Sequence, residues 1–237
     1  MVKAITFDFW ETTVGTIDYT DVRINFLANT LEMEGFSKNR KLIRDAYLSA
    51  QKAFYNAWKN EQKYISALER TESILKTLEI NLSHKSKHNI IKRFEEIALL
   101  APPPLMNDSE MVLKSLYDNY RIGLICDSGM SPGKILRKVL EYHNVLKYFC
   151  CTIFSDEIGR NKPNPIVFRQ ALKKLEVKPT EAIHIGDLLE TDIAGANAIG
   201  MKTVWFNWKN KSKKSKTNIV PDYEIDKLSQ LLQILPL

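Results

Sequence analysis

What most constrains this chain is a set of short apolar runs, each stopping at a polar group and each followed by a helical pattern. The first is Ala4-Ile5-Thr6-Phe7, partly β-branched and ending at Asp8, which reads as a buried strand carrying a carboxylate at its C-terminal end. Further runs span Arg121–Cys126, leading into Asp127-Ser128-Gly129, then Cys151–Phe154, Ala182–Ile185 before Gly186-Asp187, and Thr203–Phe206. Amphipathic patterns near 166–175 and 191–199 separate them, as does a segment beginning Ser131-Pro132, where Ser131 is placed to cap a helix with Pro132 at its first position. Strands joined through helices pair in parallel, and a parallel sheet needs helices on both faces. Ligands of such sheets bind beyond the strand C-termini, so the polar run ends are expected to converge.

Between Asp21 and about Leu100 the strand pattern disappears. Ile24, Leu27, Ala28 and Leu31 fall on one helical stripe, and Gly35 sits at a C-terminal cap position. Ser37 is placed to start a second helix with face Ile43, Tyr47, Ala50, Phe54 and Trp58. Ser66 and Glu69 have capping-box spacing for a third, carrying Leu68, Thr71, Leu75 and Leu78; Ile90, Phe94 and Ile97 mark a fourth. Four helices without an intervening strand predict an all-α helical bundle inserted after the first strand. Ala101-Pro102-Pro103-Pro104 ends it. The expected organisation is an α/β core of residues 1–16 and 101–237, with a helical domain at 17–100 and hinges near Gly15–Asp18 and Ala101–Pro104. Pro221 to Leu235 is expected to add an edge strand and a closing helix.

With 237 residues, 44% hydrophobic and 26% charged, the chain has the material for a sizeable core. It has no apolar run of bilayer length and no leader pattern at Met1, which predicts a soluble, cytoplasmic protein without a membrane partner, monomeric or homodimeric. The formal charge of +6 is concentrated in Lys209, Lys211, Lys213, Lys214 and Lys216; removing them leaves about +1. That segment reads as a solvated loop, so nucleic acid is not an expected partner, whereas a small anionic substrate is. Cys126, Cys150 and Cys151 cannot build a disulfide framework and read as packing residues in a reducing compartment.

Four segments together resemble one family. Asp8-Phe9-Trp10-Glu11-Thr12 is similar to motif I of the haloacid dehalogenase (HAD) superfamily, D-x-D-G-T, with Trp10 in place of the second Asp and Glu11 in place of Gly. Cys126-Asp127-Ser128-Gly129 resembles motif II, Gly159 to Pro165 resembles G-x-x-K-P-x-P with Lys162 as its lysine, and Gly186-Asp187 with Asp192 resembles G-D-x-x-x-x-D. They occur in the family's order across essentially the whole chain.

The resemblance implies a Rossmann-like core with a helical cap between motifs I and II. It makes Asp8 the nucleophile, with Thr12 and Lys162 as its catalytic companions; a fixed ammonium beside Asp8 offsets repulsion of an anionic substrate. Cys126, Asp127 and Ser128 would hold phosphate, the hydroxyl position being Cys126 in one register and Ser128 if the strand ends later. Mg²⁺ would be held by Asp8, the main-chain carbonyl of Trp10 and Asp187, with Asp192 behind them. His184, inside an apolar run, reads as a packed core residue. Tyr55, Trp58 and Tyr64 are the aromatic residues placed to meet a substrate if their helix face looks toward Asp8.

Three functions are compatible with these residues. A Mg²⁺-dependent phosphatase working through an aspartyl-phosphate on Asp8 is favoured, with Glu11 or a cap residue supplying the proton that Trp10 cannot. A 2-haloacid dehalogenase is the alternative, since that branch also carries an aromatic residue two positions after the nucleophile. A degenerate binding module is the third, opposed by the cost of burying several carboxylates to no purpose.

Overall fold

The computed structural model describes residues 1–210 and 218–236; Lys211, Lys213, Lys214 and Lys216 of the basic segment lie outside them. The chain opens with β1 (Ala4–Asp8), then α1 (Thr20–Met33), α2 (Arg40–Asn56), α3 (Ala67–Thr77), α4 (His84–Leu100) and α5 (Ser109–Tyr117). It continues as β2 (Arg121–Cys126), α6 (Gly133–Tyr142), β3 (Cys151–Phe154), α7 (Ser155–Ile158), α8 (Pro165–Leu175) and β4 (Ala182–Gly186). A π-helical turn at Leu189–Ile193, α9 (Ala194–Asn197), β5 (Lys202–Phe206), β6 (Tyr223–Ile225) and α10 (Leu231–Ile234) complete it. The six strands form one parallel sheet in the order β3-β2-β1-β4-β5-β6.

Because successive side chains in a strand point to opposite faces, the sheet divides its apolar residues between two layers. Ile5, Phe7, Ile122 and Leu124 pack on one face with Val112 and Leu116 of α5, Leu136 and Val139 of α6, and Leu231 of α10. Ala4, Ile125 and Ile153 pack on the other with Val167, Phe168, Ala171 and Leu175 of α8. β1 lies between β2 and β4, with Asp8 level with Ile125, which puts its carboxylate at the middle of the sheet's C-terminal edge.

The helices α1 to α4 have their own core, built largely from the predicted stripes: Ile24, Leu27 and Leu31, then Ile43, Tyr47 and Ala50, then Leu75 and Leu78 joined by Ile74, then Ile90 and Phe94. Tyr47 meets Phe94 edge to face, 6.0 Å between ring centres. The chain leaves and re-enters the sheet through two adjacent segments, tied by Gly15 N donating to the Pro104 carbonyl at 2.8 Å and Met106 N to that of Thr13 at 3.1 Å. Among the described residues no helix is long and apolar enough to cross a membrane.

Several local expectations need correction. α2 starts at Arg40, capped by the Asn39 side chain accepting from Lys41 N, and not at Ser37. On α3, Leu68 faces solvent while Arg70 lies on the buried face with Ala67, Thr71 and Ile74. Ser131 does not cap α6; Pro132 occupies that position, and Asp156 accepts from Gly133 N. The helix expected over 191–199 is a π turn followed by the short α9, since Asp192 is drawn inward to the site described below. Cys151 is buried but Cys150 is exposed, one residue before β3 begins.

Candidate active site

The first and fourth strands supply the site's carboxylates. Asp8 ends β1, Asp187 follows β4, and Asp192 returns from the π turn; all three are buried, with one carboxylate oxygen of each within 4.8 Å of the others. Gly186 permits this packing, because a Cβ there would stand 2.3 Å from the Asp192 carboxyl carbon. Lys162, itself buried, reaches in from the loop before α8 and donates its Nζ to Asp8 Oδ1, to Asp192 Oδ1 at 2.6 Å and to the Ile125 carbonyl at 3.2 Å. Leu188 N donates to the remaining Asp192 oxygen at 3.0 Å.

Burial raises the Asp8 carboxyl well above the ordinary carboxylate range; Lys162 opposes the shift, while Asp192 and Asp187 add to it. For Lys162 burial works against the charged form, but the carboxylates of Asp192 and Asp8 outweigh it and hold the amine protonated. Asp192 is also penalised by burial, yet Lys162 draws it down to about 2. His184 is core-packed as expected, with Nδ1 2.8 Å from Thr6 Oγ1 and its ring edge-on to Phe168; burial lowers its pKa and favours the neutral imidazole.

β2 contributes the next wall. Cys126 is packed with the core layer, its thiol pushed up by burial, and the cavity lining begins one residue later at Asp127, Ser128 and Gly129. Asp127 accepts from Lys162 N through Oδ1 at 3.0 Å and from Trp58 Nε1 through Oδ2 at 2.8 Å, so it joins the lysine loop to the helical layer. The Ser128 hydroxyl donates to Asp156, and Ser128 N donates to Ser155 Oγ at 2.9 Å. Ser155 and Asp156 were not singled out by sequence; their only signal was their place just after the β3 run.

The turn after Asp8 carries the departures from motif I. Trp10 lines the cavity and its Nε1 donates to the Asp127 carbonyl at 3.1 Å. Glu11 has φ +59°, the left-handed conformation that explains why glycine usually stands there. Burial alone would raise its carboxyl, but Lys209 at 2.6 Å and the Thr16 hydroxyl hold it below the usual range. Thr12 is fully buried, and its Oγ1 has no hydrogen-bond partner among the described residues; Thr13 donates instead to the Asp8 carbonyl at 2.6 Å.

A cavity of about 910 Å³ opens between these strand ends and the helical layer. Asp8, Lys162, Asp187 and Asp192 form its floor; Tyr55 and Trp58 are among its helical lining, whereas Tyr64 is not. A sequence model of the family described as haloacid dehalogenase-like hydrolase matches residues 2–200. The chain belongs to this family of hydrolases.

A glyceraldehyde 3-phosphate phosphatase of Pyrococcus furiosus is 39% identical over 125 residues, 52% of this chain and 51% of that protein. The chain thus spans about half the length of this curated relative. Two solved structures of the HAD family share the fold over nearly all of both chains. A HAD phosphatase from Thermococcus onnurineus has TM-score 0.66 and 24% identity, covering 99% of this chain and 98% of its own. A 2-haloacid dehalogenase from Pseudomonas syringae pv. Tomato DC3000 has TM-score 0.74 and 22% identity, with the same coverage. Likeness in fold therefore extends to both chemistries of the HAD hydrolases, and the choice between them rests on the site.

Proposed function

We propose that this HAD hydrolase is a Mg²⁺-dependent phosphatase of a small phosphorylated metabolite. The observation that carries the reading is the buried cluster of Asp8, Asp187 and Asp192, with Lys162 paired to Asp8 and Asp192. All of its ligand atoms are oxygen, and such a set suits a hard divalent cation. Asp8, Asp187 and the Trp10 carbonyl would hold Mg²⁺, while Asp192, both of whose oxygens already have donors, would orient Lys162 from behind. Bound there, Mg²⁺ supplies positive charge to the oxygens of the transferring phosphoryl group.

This chain's residues perform the rest. Lys162 anchors Asp8 Oδ1, which leaves Oδ2 for in-line attack on phosphorus. A bond forms between Asp8 and phosphorus as the ester oxygen departs with its electron pair and takes up a proton from water in the cavity. Water then cleaves the aspartyl-phosphate, releasing phosphate and restoring the carboxylate. Lys162 stabilises the equatorial oxygens in both steps. Asp127 and Ser128, which line the cavity, would meet the phosphate in preference to Cys126, whose thiol is packed in the core layer. Glu11, engaged by Lys209 and held deprotonated, is not the proton donor. The name of the Pyrococcus relative points to phosphoester hydrolysis as well. A dehalogenase needs no metal, so the third carboxylate speaks against that alternative.

The test is release of phosphate from para-nitrophenyl phosphate and of chloride from 2-chloropropionate, each with Mg²⁺ and with EDTA, in wild type and Asp8→Asn. An aryl phosphate has a leaving group that needs no proton, so Trp10 is no obstacle. Phosphate release that requires both Mg²⁺ and Asp8 is expected. Chloride release insensitive to EDTA would make the chain a dehalogenase.

A further inference from the structure

The cationic side chains around the cavity differ in how their charge is met. Lys162 has Asp8 and Asp192, Arg44 has Asp21 at 2.5 Å, and Lys209 has Glu11 at 2.6 Å. Arg23 and Arg70 line the same cavity; Arg70 has no carboxylate partner among the described residues, and Arg23 has the more distant charge of Asp18. Arg23 donates Nη2 to the Phe94 carbonyl at 3.1 Å and lies over the Tyr19 ring, while its Nε is buried without an acceptor.

Arg70 is the sharper case. It is only 6% exposed, its side chain has no hydrogen bond among the described residues, and its Nε is buried without an acceptor. Its guanidinium rests on Phe54, 4.5 Å from the ring centre. Burial, with the charge of Arg23 adding to it, pulls the group down to about 10, which still leaves it charged at neutral pH. A buried cation without a counter-charge is costly. One held against a cavity wall is relieved when an anion enters.

We infer that Arg70, with Arg23 beside it, receives a second anionic group on the substrate, a carboxylate or a second phosphate, so that the substrates are small, doubly anionic phosphate esters. This rests on the phosphatase reading for the first phosphate and adds the substrate class. Arg70 covers Phe54, and Trp58 follows one helical turn later, about 6 Å along the axis. Trp58 in turn donates to Asp127, whose other oxygen accepts from Lys162 N. Arg70 and Lys162 line the same cavity, so a single substrate can meet Lys162 with one anion and the guanidinium with another. The planar fork of Arg70 suits either oxyanion, offering paired N–H donors.

The test compares glycerol 3-phosphate, 3-phosphoglycerate and propane-1,3-diyl bisphosphate in wild type, Arg70→Gln and Arg70→Lys. Wild type is expected to favour one or both of the doubly anionic esters, and which one it favours identifies the second group. In Arg70→Gln the preference in kcat/KM is expected to fall by roughly tenfold to a hundredfold, carried by KM. Arg70→Lys is expected to recover part of it, since charge remains but the fork is lost. Equal losses on all three esters would assign Arg70 to supporting the helical layer and overturn the inference. Calorimetric titration of the same three compounds into Asp8→Asn, with and without Arg70→Gln, reads the preference without turnover. A preference there that depends on Arg70, without phosphate release by wild type, would keep the anion pocket and sink the phosphatase. Phosphate release without any preference would do the reverse.

Discussion

Replacing Lys162 by Met removes the charge that joins Asp8 to Asp192 while keeping an unbranched side chain of similar length in the same buried slot. At 2.6 Å the attraction between Lys162 Nζ and Asp192 is about 6 kcal/mol for an effective dielectric constant of 20. The desolvation of a buried ammonium, several kcal/mol, is recovered when it is removed. The repulsion among Asp8, Asp187 and Asp192, about 3.5 kcal/mol for two like charges at 4.8 Å and the same dielectric constant, is present in both proteins and is no longer offset by the ammonium in the variant. The net loss should therefore lie near the ~3–5 kcal/mol typical of breaking a buried pair. Urea unfolding in EDTA at neutral pH measures it. Adding Asp192→Asn to Lys162→Met should return part of the loss, although Asp192→Asn alone destabilises the wild type, because the sign of the Asp192 charge's contribution depends on the lysine. A loss below about 1 kcal/mol, or a double mutant whose losses simply add, would refute the electrostatic account of this centre.

Two further outcomes follow from local geometry. Gly186→Ala should cost ~1–3 kcal/mol and lower activity together, because the new Cβ meets Asp192 atoms that Lys162 and Leu188 already hold in place; unchanged melting temperature and turnover would show that the π turn shifts freely. Ser66→Ala should cost about 1 kcal/mol at pH 7 by removing the cap of α3. Glu69 is held below its usual range by the Ser66 amide and hydroxyl, so its contribution is present above the unfolded pKa of about 4.3 and lost as pH falls through the folded value. The difference between the two proteins should narrow at about pH 3, and a constant gap in urea unfolding would contradict this.

Local pattern determined much of this protein. The run ending in Asp8, the alternation after Pro104 and the stripes through Ile24, Tyr47 and Phe94 follow from periods of 2 and 3.6 residues, and those fixed the parallel sheet and the inserted helices. Arg70 keeps the same period with Ala67, Thr71 and Ile74, but a charged residue on a stripe carries a weaker burial signal than an apolar neighbour such as Leu68, which faces solvent. Other features depend on residues far apart in sequence. That Glu11 is neutralised by Lys209, that Trp58 reaches Asp127, and that Cys126 turns into the core while Asp127 faces the cavity are set by how the layers meet. Sequence periodicity reports which side of its own element a residue occupies. Which partner it finds there, and hence its charge state and chemistry, is decided only when strands and helices from opposite ends of the chain are brought together.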